Sequence, residues 1–172
     1  MDKHDQIHND IKPQNYLVKF LKGKNNLSSL ELVLTDFGLA GSDQKGGTPI
    51  FASPECMSNS DRKDKSTDIF SLGRVFLFSI LPNETFLQFL FVSLIKGGKN
   101  KILKLIEKEP ILHLISKMMR IQNRIGLENI RKDLQSAARI INRGIVNEIN
   151  EIIRNSTSKD SNRYIEILKN FS

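Results

Sequence analysis

With 172 residues, 39% of them hydrophobic and 26% charged, the chain has the makings of a soluble globular domain with a sizeable core. Its formal net charge of +7 comes from lysines scattered among acidic residues, with no basic stripe interleaved with aromatics, which argues against a dedicated nucleic-acid binder. A single cysteine, Cys56, excludes an internal disulfide and fits a reducing compartment.

Met1 to Ile7 is short and polar, at most the last turn of a helix, and no secretory leader is legible there, so a cytoplasmic or nuclear location is expected. His4 and His8 stand four apart, but no third ligand at useful spacing accompanies them, so a metal site there is not expected. His8 to Asn15 reads as a rigid loop, because Pro13 cannot continue a helix and biases Lys12 toward extended backbone. Tyr16-Leu17-Val18 then begins a strand, Lys19 to Ser29 reads as a polar turn, and Leu30 to Leu34 has the apolar density of a strand buried mainly on one side. This second strand runs straight into Asp36.

Gly38 to Thr48 is rich in glycine but lacks the spacing of a phosphate cradle, and reads as a mobile loop. Met57 to Thr67 is polar, an expected exposed connection. Asp68 opens the strongest helix candidate, whose residues Ile69, Phe70, Leu72, Val75, Phe76, Phe78 and Leu81 are apolar nearly all round, as in a buried helix. Pro82 ends it. Arg74 and Pro82-Asn83-Glu84 also cut the apolar region Ile69 to Ile95 into pieces too short to span a bilayer. Further helices are expected over Glu84 to Lys96, Lys99 to Glu109, Ile111 to Met119, Leu127 to Ile141 and Ile145 to Arg154. A polar linker from Asn155 to Asn162 and a short helix over Arg163 to Phe171 complete the chain. The class is therefore α+β and mostly α, a small β-hairpin followed by a helical bundle.

The chemistry concentrates at the hairpin. Asp10, Lys12 and Asn15 lie within six consecutive residues, and antiparallel pairing of the two strands brings Asp36 to the same end. Carboxylate and amide oxygens are the hard ligands that Mg²⁺ prefers beside substrate phosphates, and an ammonium among them suits a transferring phosphoryl group.

These residues carry a resemblance. His8-Asn9-Asp10-Ile11 with Asn15, then Asp36-Phe37-Gly38, Gly47-Thr48-Pro49, Ser53-Pro54-Glu55 and Asp68-Ile69-Phe70-Ser71-Leu72-Gly73 stand in the order of the eukaryotic protein kinase motifs. The chain resembles the larger, C-terminal lobe of such a kinase, and Lys12 gives the loop its serine/threonine form rather than its tyrosine form. The resemblance implies a partial kinase domain over residues 1–141, a helical extension over 142–172, and ATP- and Mg²⁺-dependent phosphorylation of protein substrates. It assigns Asp10 to the substrate hydroxyl proton, Lys12 to the transferring phosphoryl group, and Asn15 and Asp36 to Mg²⁺. Leu17 would lie under the adenine, Thr48 would tie the substrate platform to Asp10 and Lys12, and Asp68 would accept hydrogen bonds from the catalytic-loop backbone.

Two departures qualify it. Asn9 replaces the arginine that normally binds a phosphate on the activation segment, and a neutral amide cannot make that contact, so no activation-segment phosphorylation should be needed. No glycine-rich loop or lysine-bearing strand stands before Asp10. The chain is therefore expected to be part of a longer kinase whose N-terminal lobe lies upstream, inactive on its own. The alternative is a non-catalytic kinase-like module that binds a partner through its exposed lobe face.

Overall fold

In the computed structural model, described for residues 6–22, 28–41, 47–58, 64–81, 86, 99–137 and 143–157, the chain is mostly helical with one two-stranded antiparallel sheet. Packing divides it into two units, residues 1–75 and 76–172.

The first unit holds the hairpin. A single 3-10 turn at Pro13–Asn15 leads into β1 (Tyr16–Lys22), which pairs with β2 (Ser28–Leu34) in the register Tyr16 to Leu34, Val18 to Leu32 and Phe20 to Leu30. Both strands are longer than their apolar segments predict. Lys19 lies in the ladder opposite Glu31, 3.6 Å away across the sheet, so residues 19–22 and 28–29 are strand rather than turn. Burial on one side is also not what the structure shows. Phe20 is 75% exposed and Leu30 65%, and Leu17, Val18, Leu21, Leu32 and Val33 are exposed as well. With neither face covered, a strand has no need of strict alternation, and charged pairs sit in it as readily as apolar ones.

A second 3-10 turn, Phe37–Leu39, follows β2, and α1 (Pro54–Met57) is one helical turn with proline at its first position, where no backbone donor is missed. The helix α2 (Lys65–Ile80) begins three residues before Asp68, which thereby falls in its first turn, a favourable place for a carboxylate. Thr67, expected in an exposed connection, is fully buried there. Ile11, Phe51, Ala52, Cys56, Ile69, Phe70 and Val75 are the buried apolar residues of this unit.

The second unit contains α3 (Lys99–Lys108), α4 (Pro110–Met118), α5 (Leu127–Ala137) and α6 (Arg143–Thr157). The α4 helix packs on α3 and α5, and α6 packs on α3. Among the described residues, Leu77, Leu81, Phe86, Leu105, Ile106, Leu112, Leu114, Ile115, Met118, Ile130 and Ile149 are its buried apolar residues, and the Phe78 and Phe86 rings meet edge to face at 5.2 Å. Met118 is core filler, as its helical spacing suggests. The linker expected from Asn155 is helical as far as Thr157, and Gly144 lies inside the first turn of α6 instead of before it. Apart from Phe86, the helix expected over Glu84 to Lys96 lies outside the described residues, as does the one over Arg163 to Phe171. Among the described residues, no helix is long and apolar enough to cross a membrane.

Candidate functional site

The loop His8–Asn15 is polar, and nevertheless His8, Asn9, Asp10 and Asn15 are all buried. Burial of this kind is tolerable only where each polar atom finds a partner. Asp68, at the start of α2, supplies the first two contacts. Its carboxylate accepts the backbone N–H of His8 at 2.7 Å and that of Asn9 at 3.0 Å. Burial pushes the Asp68 carboxyl above its usual range, and these two bonds and the nearby His8 offset that rise only in part. The same surroundings, burial first and the Asp68 charge second, raise the Tyr16 hydroxyl.

His8 sets the turn. Its Nδ1 accepts the Asp10 N–H at 3.3 Å, so Nε2 carries the proton and donates to the Thr35 carbonyl at 3.0 Å. Its ring also lies 4.7 Å from that of Phe37, whose own ring is more than half exposed and so not the simple core packing a phenylalanine suggests. Asn9 adopts a left-handed backbone (φ 67°), which asparagine tolerates better than most residues, and its Nδ2 donates to the Leu39 carbonyl at 3.0 Å. Gly47 passes close by. A Cβ there would stand 2.6 Å from the Asn9 carbonyl oxygen, and its φ of +94° is glycine territory, so no other residue fits.

Asp10 is the hub. Its Oδ2 accepts Lys12 Nζ at 2.6 Å and Asn15 Nδ2 at 3.4 Å, and its Oδ1 accepts the Thr48 N–H at 2.9 Å and the Thr48 hydroxyl at 3.2 Å. Burial raises the Asp10 carboxyl, but the Lys12 hydrogen bond, the Thr48 amide, the Lys12 charge and the Thr48 hydroxyl together outweigh it and hold it below its usual range. Asn15 Nδ2 also donates to the Asp10 carbonyl at 2.8 Å, while the Asn15 carbonyl takes both the amide (2.8 Å) and the hydroxyl (3.0 Å) of Thr35. Thr35 therefore closes the hairpin and anchors His8 as well, a role that a lone threonine after a strand does not announce.

Asp36 follows Thr35 directly, at the end of the hairpin where Thr35 bonds to the Asn15 carbonyl. It is exposed, left-handed (φ 62°), and accepts only the Gly38 N–H, at 3.4 Å. Asn15 Oδ1 accepts no hydrogen bond among the described residues. Two oxygen donors thus stand uncommitted, one carboxylate and one amide, the chemistry that suits Mg²⁺ when phosphate and water supply the remaining positions. No cluster of three or more His, Cys, Asp or Glu side chains forms among the described residues. Leu17 lies on β1 opposite Val33 and is exposed.

The family model for the protein kinase domain matches residues 1–164. The sporulation protein kinase mde3 of Schizosaccharomyces pombe is 34% identical over 89 residues, covering 46% of this chain and 16% of that protein. A probable serine/threonine-protein kinase of Dictyostelium discoideum is 39% identical over 80 residues, covering 41% of this chain and 11% of that protein. The chain thus spans well under a fifth of the length of these relatives.

Proposed function

This chain belongs to the protein kinase family, and we propose that it forms the C-terminal lobe of an ATP- and Mg²⁺-dependent kinase that phosphorylates serine or threonine in protein substrates. The observation that carries the reading is the bond set at Asp10, where Lys12, Asn15 and Thr48 converge on one ionised carboxylate. The names of both relatives and the lysine two residues after Asp10 support it.

In this reading Asp10 receives the proton of the substrate hydroxyl. All four of its acceptor positions are filled at rest, so Lys12 must leave Oδ2 to make room for that hydroxyl. Lys12 is the partner able to do so, being on a flexible stem and partly exposed. Its ammonium would then neutralise charge on the transferring phosphoryl group. Asn15 and Asp36 would hold Mg²⁺, which would supply positive charge to stabilise the phosphates. Thr48 holds Asp10 from the opposite side and sets the substrate platform against it.

The test is phosphoryl transfer by the longer polypeptide that carries this segment, assayed on serine, threonine and tyrosine peptides with Mg·ATP. Labelling confined to serine and threonine is expected. Asp10→Asn should lower the rate about 10²–10⁴-fold in a protein that still folds. Tyrosine labelling, or an Asp10→Asn variant of full activity, would refute the proposal.

A second reading applies to the segment by itself. The uncovered apolar hairpin favours a non-catalytic module that docks a partner, an upstream N-terminal lobe in the first instance. Titration of the isolated chain with Mg·ATP distinguishes the two, since tight binding is expected only if the segment holds nucleotide unaided.

A further inference from the structure

Arg74 interrupts the apolar run of α2 and has no evident use in the chemistry above. Its guanidinium is nevertheless aimed. Nη1 donates to three backbone carbonyls, those of Pro49 at 3.2 Å, Ile50 at 2.9 Å and Ala52 at 3.1 Å. The Phe70 ring lies 4.7 Å beneath the guanidinium carbon, and no carboxylate pairs with it among the described residues. Burial lowers the guanidinium to about 10, so it keeps its charge at neutral pH.

The three carbonyls belong to one turn. Phe51 N–H and Ala52 N–H both close onto the Thr48 carbonyl at 2.9 Å, which makes residues 48–52 a single tight unit. The far end of that unit is Thr48, which presents its amide and hydroxyl to Asp10. A half-buried cation facing three carbonyl dipoles is a charge-assisted contact, stronger than an ordinary neutral hydrogen bond.

We infer that Arg74 is a positioning residue, a strut from α2 that locks the 48–52 turn so that Thr48 stays on Asp10. The inference rests on the kinase reading for its consequence and on geometry alone for the strut. It also supplies a means of ordering the platform without a phosphate, which suits a loop bearing Asn9 in place of arginine.

Cys56 provides a reporter. It is buried in α1 and its N–H bonds to the Ser53 carbonyl at 3.0 Å, directly after the braced turn. The variants are Arg74→Met, which keeps the apolar stem over Phe70 but no donor, and Arg74→Lys, whose single nitrogen carries three donors for the same three acceptors. Arg74→Met should raise the alkylation rate of Cys56 and the amide exchange of residues 48–53 by about 10- to 100-fold, with exchange in α4 unchanged. Arg74→Lys should recover most of the protection.

In the phosphoryl-transfer assay Arg74→Met should raise the KM for peptide and leave the KM for ATP as it is, a split that general loss of stability would not produce. Protection within twofold of wild type in Arg74→Met would overturn the strut. Should Arg74→Met unfold throughout, Arg74→Lys decides alone: near-native protection upholds the strut, and exposure of Cys56 in a folded protein rejects it. Labelling and exchange need no activity, so failure of the strut is separable from failure of the kinase reading.

Discussion

In the loop His8–Asn15, the polar residues His8, Asn9, Asp10 and Asn15 are at most 8% exposed, while in the hairpin directly after it the apolar residues Phe20, Leu30 and Leu32 are 64–75% exposed. Neighbouring segments thus reverse the usual division of side chains. The loop can be buried because its polar groups are paired, by Asp68 with the His8 and Asn9 amides, by Thr35 with His8 and Asn15, and by Thr48 with Asp10. The hairpin can stand exposed because its ladder needs only its own two strands, and its apolar faces add nothing until another surface covers them. What the contrast teaches is that hydrogen-bond satisfaction organises this site, and hydrophobic burial organises the helices beyond it.

That contrast can be broken most severely at Asp68. Asp68→Ala strands two amide donors in a buried loop and should cost about 2–5 kcal/mol in total, read by denaturant titration. A loss under about 1 kcal/mol would mean that water reaches the loop and that it is not buried as described.

Acid titration gives a smaller and more specific effect. Asp10 has its carboxyl held below the ordinary 3.8, so the stabilisation it contributes is complete above that pH and is lost as pH falls through its folded value. Asp68 is shifted the other way, above 3.8, so its own ionisation works against the folded state as pH rises through that raised value. Asp10→Asn should therefore flatten the acid-side loss of stability below pH 3.8, and an unchanged acid limb would show that the Lys12 and Thr48 bonds do not outweigh burial there.

The smallest effect is expected in the hairpin. Phe20→Ser should change stability by no more than about 0.5 kcal/mol, because the ring leaves little water behind on folding. The same substitution should reduce self-association, measured by light scattering. A large loss of stability would show that the ring is covered in solution and would remove the contrast with the loop.

Much of the candidate site is legible in the residue order, and the reason is local. Asp10, Lys12 and Asn15 fall within one turn of chain, Pro13 restricts that turn, and pairing of the following strands must return Asp36 to the same end. The helices of the second unit were legible from their spacing for a similar reason, since Leu112, Ile115 and Met118 lie on one helical face whatever they pack against. Other features depended on residues distant in the chain. Thr67 looked like loop and is core, because α2 begins earlier than its apolar run. Lys19 and Lys22 looked like turn and are strand, because Glu31 and Ser28 stand opposite.

From residue order alone came the polar loop, the hairpin, the mostly helical remainder and the identity of the groups at the site, because each follows from covalent neighbours and periodicity. Only the tertiary structure decided that the loop is buried and the hairpin bare, and that Arg74 points at three carbonyls. Those facts are matters of which distant groups meet, and a hydrogen bond or a buried surface is defined by both of its partners.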